Sequence, residues 1–229
     1  MTYPERGAKE PMHIKYLGHS SFLITTEAGT RILTDPFDPS EYTDLMSYNP
    51  FHEAVDIITV SHGHRDHSAI HVAHGTPVVI KGNGKFGANE VDIRGVETFH
   101  DNSFGEVKGR NTVFIISVDG LRVTHMGDLG HVLTADQAAE IGATDIALIP
   151  VGGNYTIGPA QADKVAEQVE AKIVVPMHYR TEKCWFPITG VESYIDGKTN
   201  VTVMPGSVLD VTPESLPHER QIVVLKHSL

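Results

Sequence analysis

The sequence of 229 residues has one cysteine, one tryptophan and no cluster of basic residues. The single cysteine, Cys184, excludes an internal disulfide framework and is compatible with a reducing compartment. No segment approaches the roughly 20 apolar residues that a membrane-spanning helix needs. Eighteen basic and 29 acidic residues give a net charge of −11 with neutral histidines, whereas binding to a phosphate backbone requires clustered cations. We therefore expect a small-molecule substrate, with no long nucleic acid and no membrane as partners.

The chain also lacks a linker rich in serine and proline, and its polar first twelve residues contain no apolar stretch typical of a secretory signal. These absences predict one domain over residues 1–229 and a cytoplasmic protein. Because 40% of the residues are hydrophobic, a sizeable core is expected. The sequence leaves the oligomeric state open, a homo-oligomer included.

Short apolar runs separated by turn residues dominate the chain. The first three predict an antiparallel meander, and the fourth predicts a buried strand. The predicted strands are 13–17, 21–25, 31–34, 56–60, 77–80, 96–99, 112–118, 121–125, 145–149, 172–175, 200–203 and 222–225. Capping boxes at Thr134 and Thr189 and the Gly158-Pro159 pair indicate helix starts, with helices at 135–141 and 160–170. The alternation favours a two-sheet sandwich with outer helices.

A histidine-rich loop follows the fourth predicted strand, in the segment Ser61-His62-Gly63-His64-Arg65-Asp66-His67. Imidazole and carboxylate are ligands of zinc and neighbouring divalent ions, and no thiolate lies nearby. In an extended loop His62 and His64 point the same way, and Gly63 permits a turn after which Asp66 and His67 point elsewhere. This spacing predicts two adjacent metal sites.

Two metal sites need more donors than this loop supplies. Three further candidates, His100, Asp128 and His178, each follow an apolar run and open a loop. Functional groups of sandwich folds gather on such loops at a sheet edge.

Taken in order, these motifs resemble those of the metallo-β-lactamase superfamily: an Asp after an early strand (Asp35), HxHxDH at 62–67, a lone His, a lone Asp and a final His. The resemblance covers roughly residues 13–180. Several segments also resemble the branch that contains bacterial ascorbate-6-phosphate lactonase-like proteins. These segments are Gly18–Phe22, Leu33–Phe37, Gly127–His131, Val151–Tyr155 and Pro176–Tyr179.

The resemblance implies an α+β protein, a four-layer αββα sandwich of two mixed sheets flanked by helices, with two divalent ions at one edge. It assigns the first metal to His62, His64 and His100, the second to Asp66, His67 and His178, and a bridging position to Asp128. Asp35 is expected to accept a hydrogen bond from a ligand imidazole or a loop amide and so orient it. Zinc is the first expectation, and manganese, iron or nickel suit the same nitrogen and oxygen donors.

The implied activity is hydrolysis by a hydroxide that bridges the metals. Two divalent ions, two aspartates and one hydroxide leave a formal charge of about +1, which favours a small anionic ester, lactone or phosphoester. Asp66 is predicted to orient the nucleophile or pass on a proton, and His19 and His131 to transfer a proton or contact substrate. The remaining candidates for substrate contact are Tyr155, Asn154 and Arg110.

Other interpretations fit parts of the sequence. A phosphodiesterase or nuclease-type hydrolase would use the same metals but lacks a basic track, and a metal-bound ligand sensor would use them without turnover. Asp35 precedes a proline and could cap only its own turn. His19 and His131 are equally compatible with ordinary hydrogen-bonded histidines. The segment 102–110 is most simply a solvated turn.

Overall fold

The apolar runs of the N-terminal half form a first mixed sheet. In the computed structural model, which describes residues 10–229, its strand order is β13-β1-β2-β3-β4-β5. The strands are β1 (Met12–Gly18), β2 (Ser21–Thr25), β3 (Arg31–Thr34), β4 (Ile57–Val60), β5 (Val78–Lys81) and β13 (Val208–Val211). The predicted meander β1–β2–β3 is antiparallel, whereas β3, β4 and β5 pair in parallel. Most of the N-terminal segment used to predict the compartment, residues 1–9, lies outside the described residues.

A second mixed sheet of eight strands packs against the first, in the order β12-β14-β11-β10-β9-β8-β7-β6. Its strands are β6 (Gly84–Ala88), β7 (Val91–Phe99), β8 (Arg110–Val118), β9 (Leu121–His125), β10 (Ile146–Pro150), β11 (Ile173–Met177), β12 (Val201–Val203) and β14 (Gln221–Val224). The four strands from β6 to β9 pair antiparallel, and the pairs that join β9, β10, β11, β14 and β12 are parallel. The predicted sandwich of two mixed sheets is confirmed.

Alternation along the strands decides which face each side chain covers. In β2, Phe22 and Ile24 belong to the large core between the sheets, whereas Leu23 between them belongs to a smaller cluster on the other face. That outer cluster is closed by Phe51 and Val55 from irregular segments. The outer face of the first sheet is therefore covered mainly by loops.

The helices belong to the second sheet. They are α1 (Ala135–Ile141), α2 (Pro159–Gln168) and α3 (Glu192–Ile195); α1 packs on β7, and α2 packs on β10 and α3. The Thr134 capping box is formed as predicted. No helix within residues 10–229 has the length and apolar character that crossing a membrane requires.

Several boundaries differ from the sequence-based predictions. Strand β6 and strand β13 were not predicted, because β6 carries two glycines and β13 is mostly exposed. The capping box predicted at Thr189 is wrong: α3 begins after Val191, and the Thr189 hydroxyl donates to Gly152 O instead. Asp119 and Gly120 form the tight turn of the hairpin between β8 and β9, and both have the positive φ that such a turn requires.

Candidate metal centre

The candidate ligands lie just beyond the ends of strands. The histidine-rich loop follows β4, His100 follows β7, Asp128 lies three residues beyond β9, and His178 follows β11. Three residues at such strand ends have left-handed backbones: His19 (φ 53°), Asp35 (φ 41°) and His178 (φ 51°). Non-glycine residues rarely adopt this conformation, and strain of this kind, about 1–3 kcal/mol for each residue, clusters at functional sites.

One carboxylate oxygen lies at the centre of the cluster. Asp128 Oδ2 is surrounded by the Nε2 atoms of four imidazoles, at distances of 3.2 Å (His100), 3.3 Å (His67), 3.5 Å (His178) and 3.9 Å (His62). All five side chains are at most 3% exposed. The structure therefore brings together residues separated by up to 116 positions around one buried acceptor.

Donor atoms of His62, His64 and His100 form the first group. Their ligand atoms lie within 4.8 Å of one another, and His62 Nε2 is 3.0 Å from His64 Nδ1. Two nitrogens bound tetrahedrally to one zinc ion lie about 3.3 Å apart, given Zn–N bonds of about 2.0–2.1 Å. This group thus has the spacing of a nitrogen-donor metal site.

The second group contains His67 and His178 and, unexpectedly, the imidazole of His19, with ligand atoms again within 4.8 Å. Asp66 lies beside this group, with Oδ2 3.7 Å from His67 Nε2. Both oxygens of Asp66 have partners: His19 Nε2 contacts Oδ2 at 3.2 Å, and the Tyr42 hydroxyl donates to Oδ1 at 3.3 Å. The His19 side chain has no exposed surface, so its contacts are made inside the protein.

Asp35 is hydrogen-bonded to the histidine-rich loop. Its Oδ1 accepts from Ser61 N at 2.7 Å, and its Oδ2 accepts from the Ser61 hydroxyl and from His67 Nδ1, the latter at 2.9 Å. The Ser61 oxygen in turn contacts His62 Nδ1 at 3.0 Å. These bonds occupy the Nδ1 atoms and leave both Nε2 atoms directed at Asp128. Asp35 therefore does more than cap its own Asp-Pro turn, because its partners Ser61 and His67 lie in another loop.

The electrostatics of the cluster suit a cation. Burial lowers the pKa of His62 and of His178 to about 3 and also lowers that of His64, so their lone pairs are free at neutral pH. Burial alone would also lower the pKa of His67, but the charges of Asp128 and Asp66 raise it well above its usual value. These carboxylates therefore favour positive charge beside His67.

Unpaired buried atoms test whether the residues fit a metal. His67 Nε2 and Asp128 Oδ1 are buried and have no hydrogen-bond partner, although buried polar atoms are normally satisfied. His67 Nε2 is one of the four nitrogens around Asp128 Oδ2, and Oδ1 is the other oxygen of that carboxylate. A divalent ion would satisfy them, and the mixture of imidazole and carboxylate is the donor set that zinc and its neighbours accept. The residues fit the implied metals.

Two positioning residues were not predicted from the sequence. Asn111 is buried in β8, accepts from Asp128 N at 2.9 Å and donates to Met126 O at 2.9 Å, which holds the backbone that carries Asp128. Gly130 lies against His100, and a Cβ atom there would lie 2.2 Å from the His100 carbonyl carbon. In the sequence, an asparagine in a strand or a glycine in a loop does not by itself indicate such a positioning role.

A cavity of about 550 Å³ opens above the ligands. Its wall includes the aromatic rings of Tyr42, Tyr155 and Phe186 and the cations Arg65 and Lys108, beside the candidate ligands His64, Asp66, His100, Asp128 and His178. Of these wall residues only Tyr155 had been singled out from the sequence as a substrate contact. The segment interpreted as a solvated turn thus supplies Lys108 to the cavity.

Three other predicted residues do not line the cavity. His131 is held by backbone groups at both nitrogens, since Phe99 N donates to Nε2 and Nδ1 contacts Val132 O. Arg110 is 78% exposed and pairs with Glu97 at 3.0 Å. The exposed Asn154 donates its amide to Pro187 O. These contacts give each of the three side chains a structural partner, and their catalytic and substrate-binding roles stay predictions.

A buried ring of imidazoles and a carboxylate, at one edge of two packed mixed sheets, defines the metallo-β-lactamase class of fold and site. A family model described as a beta-lactamase superfamily domain matches residues 13–178. The chain therefore belongs to the β-lactamase superfamily, and the predicted class, a metal-dependent hydrolase, is confirmed at that level.

Individual relatives agree with this family. The chain is 32% identical to a UPF0173 metal-dependent hydrolase of Pyrococcus abyssi, over 86% of this chain and 99% of the relative, and 29% identical to one of Methanoregula boonei, over 88% and 99%. A solved structure from Thermotoga maritima, described as a zinc-dependent hydrolase of the metallo-β-lactamase superfamily, is 39% identical and superposes with a TM-score of 0.78. That match covers 93% of this chain and 98% of the other. The resemblance to ascorbate-6-phosphate lactonase-like proteins stays a prediction.

Proposed function

We propose that this protein hydrolyses a small anionic ester, lactone or phosphoester with the help of two divalent ions, zinc first among them. The proposed ligands are His62, His64 and His100 for one ion and Asp66, His67 and His178 for the other, with Asp128 between them. The observation that carries the proposal is Asp128 Oδ2, which has imidazoles of both groups within 3.2–3.9 Å. A carboxylate in that position can serve two cations at once.

Metal ions held by these residues would lower the pKa of water to about 7, which makes hydroxide available as the nucleophile, and would stabilise the developing oxyanion. The protein side chains set the geometry for this chemistry. Asp66 is held at both oxygens by His19 and Tyr42, which keeps its carboxylate facing the second position. We assign His19 to this positioning role, because its side chain has no exposed surface and is not part of the cavity wall.

The cavity favours a small substrate of negative charge. A volume of about 550 Å³ is that of a site for a small organic molecule, and the aromatic wall offers apolar contact. Arg65 and Lys108 add positive charge. The alternative of a nuclease-type hydrolase is less well supported, since the protein has a net charge of −11 and a nucleic-acid backbone would be repelled outside the cavity.

Metal analysis combined with a substrate panel tests this function. The purified protein would be depleted with a chelator, reloaded with zinc, manganese, iron or nickel, and assayed with p-nitrophenyl esters, sugar lactones, p-nitrophenyl phosphate and bis-p-nitrophenyl phosphate. We expect metal-dependent turnover of at least one anionic ester, lactone or phosphoester and close to two ions for each chain. The chelated protein, assayed with the same compounds, gives the background rate of hydrolysis.

Two results would contradict the proposal. Thermal stabilisation by the panel compounds without turnover by any metal-loaded form would favour a ligand sensor. Turnover confined to a DNA or RNA oligonucleotide included in the panel would favour the nuclease-type alternative.

A further inference from the structure

One exposed loop at the mouth of the cavity is held by several hydrogen bonds to a single carboxylate. It follows the candidate ligand His100, and the carboxylate of Asp101 accepts hydrogen bonds from four backbone amides of the loop. The donors are Ser103 (2.7 Å), Gly105 (3.0 Å), Val107 (3.1 Å) and Lys108 (2.7 Å). Asp101 therefore fixes the path of the backbone that carries Lys108.

The ammonium group of Lys108 is fixed as well. Its Nζ donates to Asn154 O and to Tyr155 O, each at 2.9 Å, and lies 5.4 Å from the centre of the Tyr155 ring. An ammonium has three donors, so one remains after these two bonds. The two carbonyl groups orient the side chain without neutralising its charge.

No described carboxylate forms a salt bridge with Lys108, whereas its neighbour Arg110 pairs with Glu97. Arg65, the second cation of the cavity wall, is exposed and its guanidinium makes no hydrogen bond with a described residue. Lys108 thus differs from both arginines: within residues 10–229 its charge is held in a fixed place and left without a counter-ion, in the wall that also contains His100 and Asp128.

We propose that Lys108 binds an anionic substituent of the substrate, a carboxylate or a phosphate separate from the bond that is cleaved, and so selects substrates that carry one. The inference rests on the proposed function and deepens it. Lysine acts as a point charge toward such groups, and a preorganised cation loses little entropy on binding. Asp101 is a positioning residue for this contact, and Arg110, predicted from the sequence as the anion contact, is outside it.

Two matched esters test the selection. We would compare p-nitrophenyl butyrate with mono-p-nitrophenyl succinate, which differ by a terminal carboxylate, using zinc-loaded wild type, Lys108→Met, Lys108→Arg and the control Arg110→Met. The preference of the wild type for the succinate ester, measured as the ratio of kcat/KM values, is expected to fall about 10- to 100-fold in Lys108→Met. Lys108→Arg should recover part of it, and Arg110→Met should retain all of it.

Binding separates this inference from hydrolysis itself. Calorimetric titration of the same zinc-loaded proteins with succinate and with butyrate measures the preference for a second anionic group without turnover. If no ester, lactone or phosphoester of the panel is cleaved but succinate still binds more tightly than butyrate in a Lys108-dependent way, the proposed hydrolysis is contradicted and the anion site stands. Titration with 3-phosphonopropionate then ranks phosphate against carboxylate at that site.

The opposite result overturns the inference. If esters are cleaved, or succinate bound, with the same preference in wild type and Lys108→Met, Lys108 does not recognise the anion, and the proposed hydrolysis is untouched. Unfolding curves of Lys108→Met and Arg110→Met show whether either variant has lost its fold.

Discussion

The floor and the rim of the cavity are built in different ways. The floor, formed by His62, His67, His100, Asp128 and His178, has side chains at most 3% exposed. The rim is formed by the loop 101–109, which carries Lys108, and by Tyr42, Arg65, Tyr155 and Phe186. It is open: Phe104 and Val107 of that loop are 76% and 75% exposed. Residues directly after strands supply most of the floor, whereas turns held by hydrogen bonds supply the rim.

This difference reflects two kinds of chemistry. Metal donors must converge within a few tenths of an ångström, so they are attached to strands that the core makes rigid. Substrate contacts must admit a molecule from solvent, so they lie on loops. We therefore expect substitutions in the floor to change metal content and activity together, and substitutions in the rim to change selectivity while the metals stay bound.

The largest effect should come from removing a candidate metal donor outright. His64→Ala deletes an imidazole of the first group, so both bound metal and activity should fall by more than the roughly 10–100-fold typical of a supporting residue. Elemental analysis and kcat/KM on the best panel substrate measure the loss. The control is His52→Ala, since His52 is exposed and its ring packs against His74 rather than against a candidate ligand. A metal-replete, fully active His64→Ala protein would remove His64 from the ligand set.

A smaller loss of metal affinity is expected when Asp35, which is hydrogen-bonded to the candidate ligand His67, is changed. In Asp35→Asn an amide NH2 group replaces one of the two acceptor oxygens, so the hydrogen bonds from Ser61 N and from His67 Nδ1, which use different oxygens, can no longer both be accepted. Metal affinity should fall about 10–100-fold, as measured by competition with a chelator of known affinity. Asp210→Asn is the matched control, because Asp210 pairs with a half-exposed histidine, His13, at 2.6 Å. Equal affinity in Asp35→Asn and the control would argue against an orienting role.

The junction of floor and rim can be tested by adding one methyl group. The Cβ of Gly130→Ala would lie 2.2 Å from the His100 carbonyl carbon and 2.3 Å from Asp101 N, so the backbone must shift. Overpacking of this kind costs about 1–3 kcal/mol, measured by denaturant unfolding of the metal-free protein. Gly206→Ala has open space within 4 Å and should unfold like wild type. Unchanged stability of Gly130→Ala would show that the close approach is not required.

The smallest effect on catalysis is expected for His131→Ala. This change removes the acceptor of Phe99 N and should cost about 1–3 kcal/mol of stability through an unsatisfied buried group. Because His131 does not line the cavity, kcat/KM should stay close to wild type once the protein is folded and loaded. A large fall in kcat at unchanged stability would instead restore His131 as a catalytic residue.

Much of the floor could be predicted from the sequence, and little of the rim. The candidate donors of the floor were predictable because metal coordination admits few residue types, and several of these lie in one short loop. His19 was singled out for proton transfer or substrate contact, but its burial against Asp66 depends on how β1 meets the histidine-rich loop. Lys108 carried no signal, since its contacts with Asn154 and Tyr155 join residues 46 and 47 positions apart.

The sequence by itself determined which side chains can bind a cation and, through strand periodicity, that two sheets would form. Only the tertiary structure decided that Asp128 would lie among four imidazoles, that Asp35 would reach His67, and that Lys108 rather than Arg110 would face the cavity. The physical reason is that donor chemistry belongs to the residue type, whereas distances between strand ends and loops are set by the packing of the two sheets.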